Sequence, residues 1–117
     1  LDIGTPEKYL QLHRDLLKDK DILVGAQSSV HPTAEIRGAV VIGDGCTIEE
    51  GSVIEDSVIW RNVRVESQVS LKNSIVADNC CLKARCCVEN SVLGDNVTVA
   101  SGVKLKGGKI SPGTIVE

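Results

Sequence analysis

Four cysteines within eight residues, 80-CCLKARCC-87, are the part of this chain whose types and spacing could do chemistry. Two close Cys pairs are what a tetrahedral zinc site draws on. Cys46 is a fifth thiol, and His13 and His31 are the two imidazoles that could add a base or a ligand. Whether any of these groups meet depends on the elements that carry them.

Those elements are set by a repeat. Ile42, Ile59, Val76, Leu93 and Ile110 recur every 17 residues, as do Ile48, Val65, Leu82, Val99 and Val116, and again Ile54, Leu71, Val88 and Leu105. Each repeat divides as six, six and five residues, which implies a three-sided coil, whereas helical repeats need periods of about 33 or more. Aliphatic side chains stacked about 4.8 Å apart would fill a narrow prism, and β-branched Val and Ile suit its short strands. Aromatics make up only 2% of the chain, as expected of a tube with little room for rings. Positions 45, 62, 79, 96 and 113 read Gly, Asn, Asn, Asn, Gly, the types that most readily take the left-handed backbone angles of a sharp corner. The fold expected is an all-β solenoid, a parallel β-helix of hexapeptide repeats with about five coils. Val30, Ile36 and Ile42 are spaced by six, which starts it near Val30. Solenoids of this hexapeptide class wind left-handed, an exception to the right-handed crossover rule, and the same hand is expected here.

The register decides the cysteines. Cys80 shares a column with Cys46, Val63 and Val97, and Cys86 with Ser52, Val69 and Val103, so both should fill small inward sites. Cys81 and Cys87 should point out. Thiolates that alternate in and out on two walls cannot converge on one ion. Cys46 and Cys80 stand two coils apart, about 9 to 10 Å, beyond the disulfide limit of about 7 Å. Free thiols suit a reducing cytosol.

The 117 residues carry a net charge of −3, which offers no basic surface for nucleic acid. There is no run of about 18 apolar residues and no charged-then-apolar leader, so a cytoplasmic protein without membrane association is expected. Beginning at Leu1 in what reads as structured sequence, the chain is expected to be a fragment of a longer protein. Gly4-Thr5-Pro6-Glu7 predicts a helix start, with Thr5 as cap and Pro6 at the first helical position. Tyr9, Leu10, His13, Leu16 and Leu17 then form an apolar stripe over three to four turns, with His13 as a packing residue. Ile22, Leu23 and Val24 are expected to cover the open first coil. The division is therefore residues 1–29, the end of a preceding domain with helix and linker, and residues 30–117, the solenoid.

Leu1-Asp2-Ile3-Gly4-Thr5-Pro6-Glu7-Lys8-Tyr9, followed by a helix and then Val30-His31-Pro32-Thr33-Ala34-Glu35-Ile36 opening a hexapeptide solenoid, resembles the C-terminal part of bacterial sugar nucleotidyltransferases. The likeness is strongest to mannose-1-phosphate guanylyltransferase-like proteins and covers essentially the whole chain. It implies a parent that transfers a nucleotidyl group from an NTP to a sugar 1-phosphate, releasing pyrophosphate. In that family two acidic residues hold Mg²⁺, and the later one matches Asp2. An in-line attack on a phosphate mainly requires alignment and charge neutralisation. No Gly-rich phosphate loop occurs here, so no catalytic or substrate-binding residue is expected within this fragment, and the solenoid reads as a structural, oligomerising or regulatory domain.

Two rivals exist. A hexapeptide acyltransferase would need a His base, and His31 lies in the opening turn while residues 38–117 hold no His. A non-catalytic relative of the exchange-factor kind shares the two-domain plan. A zinc carbonic anhydrase of this fold needs three His. Trp60 stands where its column otherwise reads Gly43, Ala77, Gly94 and Ser111, which predicts an exposed ring at a corner and a contact in a homo-oligomer.

Overall fold

A computed structural model describes residues 22–117, and these form an all-β parallel solenoid of about six turns. Fifteen strands of two to seven residues make three walls. The first wall stacks Ile22–Val24, Val40–Ile42, Val58–Ile59 and Ile75–Val76, then the second halves of Cys87–Leu93 and Lys104–Ile110. The second wall stacks Ser29–Val30, Thr47–Ile48, Arg64–Val65, Cys81–Leu82, Thr98–Val99 and Ile115–Val116. The third stacks Glu35–Arg37, Val53–Glu55, Ser70–Lys72 and the first halves of the two long strands.

All pairings are parallel, and the 17-residue step holds from Val41↔Val58 to Thr98↔Ile115. The three aliphatic columns are the core: Ile42, Ile48, Ile54, Ile59, Val65, Leu71, Val76, Leu82, Val88, Leu93 and Val99 are all at most 1% exposed. At the last coil the columns end in half-buried Leu105, Ile110 and Val116.

The start differs from expectation. Ile22–Val24 does not lie over the first coil as a cover; it is the first rung of the first wall, paired to Val40–Ile42. The coil count is accordingly about six and not five. The spacing of six that joins Ile42, Ile36 and Val30 runs on one step further to Val24, so the first step is 18 residues, Val24↔Ile42. The expected helix after Gly4 lies outside the described residues, and no helix occurs among the described ones.

Left-handed backbone occupies all three corners. Gly45, Asn62, Asn79, Asn96 and Gly113 have φ of 55 to 78°, as the sequence column predicts. A second corner places Gly51, Gln68, Arg85 and Gly102 there, and the third Gly38, Asp56, Asn73, Asn90 and Gly107. Side chains above the small residues explain part of the pattern: a Cβ on Gly45 would fall 2.5 Å from the Asn62 Oδ1 of the next coil.

Polar ladders run through the corners. Ser57, Ser74 and Ser91 are at most 1% exposed, and each Oγ donates to the carbonyl two residues earlier at 2.8 Å. The same oxygens accept backbone N–H groups one coil on, from Ser74, Ser91 and Gly107 at 3.1 to 3.2 Å. At the first corner the carboxylates of Asp44, Asp78 and Asp95 accept from the N–H groups of Ala26, Arg61 and Asp78, one coil back, at 2.8 to 3.1 Å.

The inward thiols serve the same end. Cys46 Sγ donates to Trp60 O at 2.9 Å and Cys80 Sγ to Gly94 O at 3.1 Å. Burial pushes the Cys80 thiol up to about 11 and the Cys86 thiol up to about 12, with Cys46 raised for the same reason.

Three outcomes follow from this packing. Leu82→Ala, which empties a fully buried site, should cost about 2 to 5 kcal/mol, against about 0.5 for its outward neighbour Lys83→Ala, in urea titrations. Ser74→Ala should cost about 1 to 3 kcal/mol, far above an ordinary surface truncation, because it takes the acceptor from the Ser91 N–H and one donor from the Lys72 carbonyl. Thiols whose folded pKa is raised stabilise fully below their unfolded value of 9.0 and lose that contribution as pH climbs toward 11 and 12. Stability should therefore fall between pH 9 and 12 in alkaline denaturation, and fall less in Cys80→Val.

Candidate functional site

The described surface divides by wall. Outward positions of the second wall carry an ion-pair lattice: Arg64 Nε donates to Glu49 Oε2 at 2.8 Å, and Lys83 Nζ lies 3.8 Å from Glu66 Oε2. The other Glu66 oxygen accepts the Ala84 N–H at 3.1 Å, fixing that carboxylate to the next coil. Cys81 sits among these charges, its Sγ 3.9 Å from Glu66 Oε2. Its pKa is raised, first by burial and then by Glu66, with Lys83 and Arg64 opposing, so it is no activated thiolate.

The cysteines do not assemble a metal site. Cys46, Cys80 and Cys86 are buried in the core, Cys81 and Cys87 are half-buried on different walls, and all five are free thiols. No group of three His, Cys, Asp or Glu able to hold a metal occurs among the described residues.

A groove of about 320 Å³ crosses the first coils of the second wall, lined among others by Val30, His31, Pro32, Ile48, Glu49 and Ser67. The histidine in it has a structural task. Its Nδ1 accepts the Thr33 backbone N–H at 3.1 Å and pairs with Thr33 Oγ1 at 2.8 Å. The Thr33 hydroxyl in turn accepts the Gly51 N–H at 3.0 Å. A backbone N–H can only donate, so in the neutral ring Nδ1 is the acceptor and the proton sits on Nε2. That nitrogen is therefore a donor and not a base, and Glu49 is engaged with Arg64.

Trp60 is half-buried, where an exposed corner ring was expected. It lies on the outer face of the first wall beside Val58, which is 3% exposed, and Ala77, at 6%. The aliphatic run of outward positions 41, 58, 75 and 92 on that wall is a feature the column analysis passed over, because its residue types match those of the core. Asp2 and His13 lie outside the described residues.

Comparison with known proteins gives these geometries a context. A family profile described as the GMPPB C-terminal domain matches residues 19–117. The chain is similar to the bifunctional protein GlmU of Geobacter metallireducens, 44% identical over 41 residues, covering 35% of this chain and 9% of that protein. It is also similar to GlmU of Clostridium kluyveri, 36% identical over 63 residues and covering 54% and 14%. For GlmU of Clostridium acetobutylicum the match is 32% over 75 residues, covering 59% and 16%. The chain thus spans at most about a sixth of the length of these curated relatives. Among solved structures, PerB of Caulobacter crescentus, in complex with CoA and GDP-perosamine, superposes with a TM-score of 0.73 at 19% identity. That match covers 96% of this chain and 60% of PerB. A mutant of GDP-perosamine N-acetyl transferase from the same organism gives 0.66 at 18%, covering 96% and 57%. At such identities these two likenesses speak for the solenoid fold alone. With the profile running from just before the first strand to the last residue, the chain belongs to the GMPPB C-terminal domain family.

Proposed function

We infer that this chain serves as the C-terminal structural and oligomerising domain of a cytoplasmic enzyme that joins an NTP to a sugar 1-phosphate, releasing pyrophosphate. The match of residues 19–117 to the GMPPB C-terminal domain carries the reading, and mannose 1-phosphate with GTP is the substrate pair it favours. The parent reaction uses Mg²⁺, and the Asp2 carboxylate is a hard oxygen donor of the kind that ion takes. Left-handed winding belongs to the same reading, supported by the hexapeptide-class repeat of six, six and five residues. A rigid prism with flat outer walls suits assembly, and the part of the Trp60 ring that stays exposed is the proposed anchor between subunits.

The acyltransferase reading draws on the shared solenoid, and the proton on His31 Nε2 speaks against it. No helix among the described residues is long and apolar enough to cross a membrane.

Incubated with Mg²⁺, GTP and mannose 1-phosphate, this chain alone should release no pyrophosphate, and with acetyl-CoA and an amino sugar it should transfer no acetyl group. Size exclusion with light scattering should give a dimer or trimer at micromolar concentration, shifted toward monomer by Trp60→Ala. Acetyl transfer above blank would replace this reading with the acyltransferase one. A strict monomer at high micromolar concentration would remove the oligomerising role.

A further inference from the structure

On the second wall, residues 29–32 of the first coil and 47–50 of the second run side by side, since Ser29 pairs with Thr47 and Val30 with Ile48. Together with Ser67 of the third coil they line the groove of about 320 Å³. That volume lies near the lower end of the range, about 300 to 1,000 Å³, in which small-molecule sites fall.

Most polar side chains described above serve the fold. The hydroxyls of Ser52, Ser57, Ser74 and Ser91 donate to backbone carbonyls, and Arg64 holds one oxygen of Glu49. In the groove several polar groups are left over. His31 accepts the Thr33 N–H at Nδ1, so its Nε2 carries a proton that meets no acceptor among the described residues. The Glu50 carboxylate is exposed and enters no ion pair or hydrogen bond among them. The Thr47 and Ser67 hydroxyls can each donate or accept. Val30 and Pro32 add apolar surface.

This lining selects its ligand by elimination. No Lys or Arg lines the groove, so a phosphate group would meet Glu49 and Glu50 with no cation to offset them. An ammonium ion would suit Glu50 but would set donor against donor at His31 Nε2. A hydrocarbon would cover all of these groups and pair none. A hydroxyl both gives and takes a hydrogen bond, so a ligand carrying several of them satisfies the carboxylate and the imidazole together. The two oxygens of a carboxylate suit two adjacent hydroxyls, and the C–H face of a ring suits a proline.

We propose that this groove binds a neutral sugar ring, a hexopyranose. Glu50 accepts from a pair of adjacent hydroxyls, His31 Nε2 donates to a further oxygen, and the C–H face of the ring rests on Pro32. The site lies on a different wall from Trp60 and holds whichever reaction the parent performs. A ligand this small in an open groove binds with a dissociation constant on the order of 1 mM.

Nitrogen–proton correlation NMR on the full chain tests this. Titrated with D-glucose or D-mannose, the amide signals of residues 29–33 and 47–50 should shift saturably, with a dissociation constant of about 1 to 10 mM. Mannose 1-phosphate should bind about tenfold more weakly, because its charge meets the two carboxylates. Glycerol, with adjacent hydroxyls but no ring, should also be weaker. Glu50→Gln should weaken hexose binding at least fivefold without moving the urea midpoint. His31→Asn should weaken it similarly, since the amide oxygen can still accept the Thr33 N–H while the Nε2 donor is gone. Glu55→Gln, on the third wall, should change nothing. Three results each overturn the proposal: no saturable shift up to about 50 mM hexose, hexose shifts that persist unweakened in Glu50→Gln, or binding of mannose 1-phosphate or glycerol as tight as that of the hexose.

Discussion

Along these walls backbone donors find carbonyl acceptors one coil away, and the rest of the structure hangs on that pairing. Strands of two or three residues are too short to stand as an isolated pair, so each lives by the rungs on either side of it. Gly43 N reaches Ile59 O, Trp60 N reaches Val76 O, and Ala77 N reaches Leu93 O, all at 2.8 to 3.0 Å. One residue lost or added inside a strand would break this series and turn the side chains of that wall inside out, whereas the corners absorb the difference between the first step of 18 residues and the later steps of 17. The near-constant coil length is therefore imposed by hydrogen bonding, and the aliphatic columns are its visible trace.

The corners carry the same requirement where the strands stop. Where the ladder turns, side chains take over the bridging: serine hydroxyls at the third corner, aspartate carboxylates and thiols at the first. This explains why buried polar atoms are tolerated in a core this narrow. Each serine hydroxyl both donates and accepts, so it closes two backbone valences at once. Of the cysteines that look like a metal knuckle in the sequence, Cys80 is part of that system, as Cys46 is one pair of coils earlier, each standing in a valine column while keeping one weak donor.

Much of this was legible from residue spacing. The inward columns, the in-and-out placement of Cys80, Cys81, Cys86 and Cys87, and the left-handed turn at Asn62, Asn79 and Asn96 all follow from a step of 17. What stayed hidden has physical causes. Ile22–Val24 stands on the spacing of six carried back from Val30, but an aliphatic run suits a cover and a rung alike. Gln68 and Arg85 take left-handed angles that their types do not advertise, because ladder bonds such as Arg85 N to Ser67 O force the backbone there. His31 and Thr33 read from the sequence only as part of the opening turn, and the hydrogen bonds of the ring show that Nδ1 is spent on holding it. The half-buried state of Trp60 was invisible to a column that compares it only with the smaller residues above and below it.

The constancy of the coil has a genetic consequence. A recombination event that deletes or duplicates one whole coil in frame would join Leu82-like to Leu82-like positions across the seam, leave all three faces in order, and alter only the height of the tower. The domain can thus be lengthened or shortened by integral steps without any compensating change in the coils that remain.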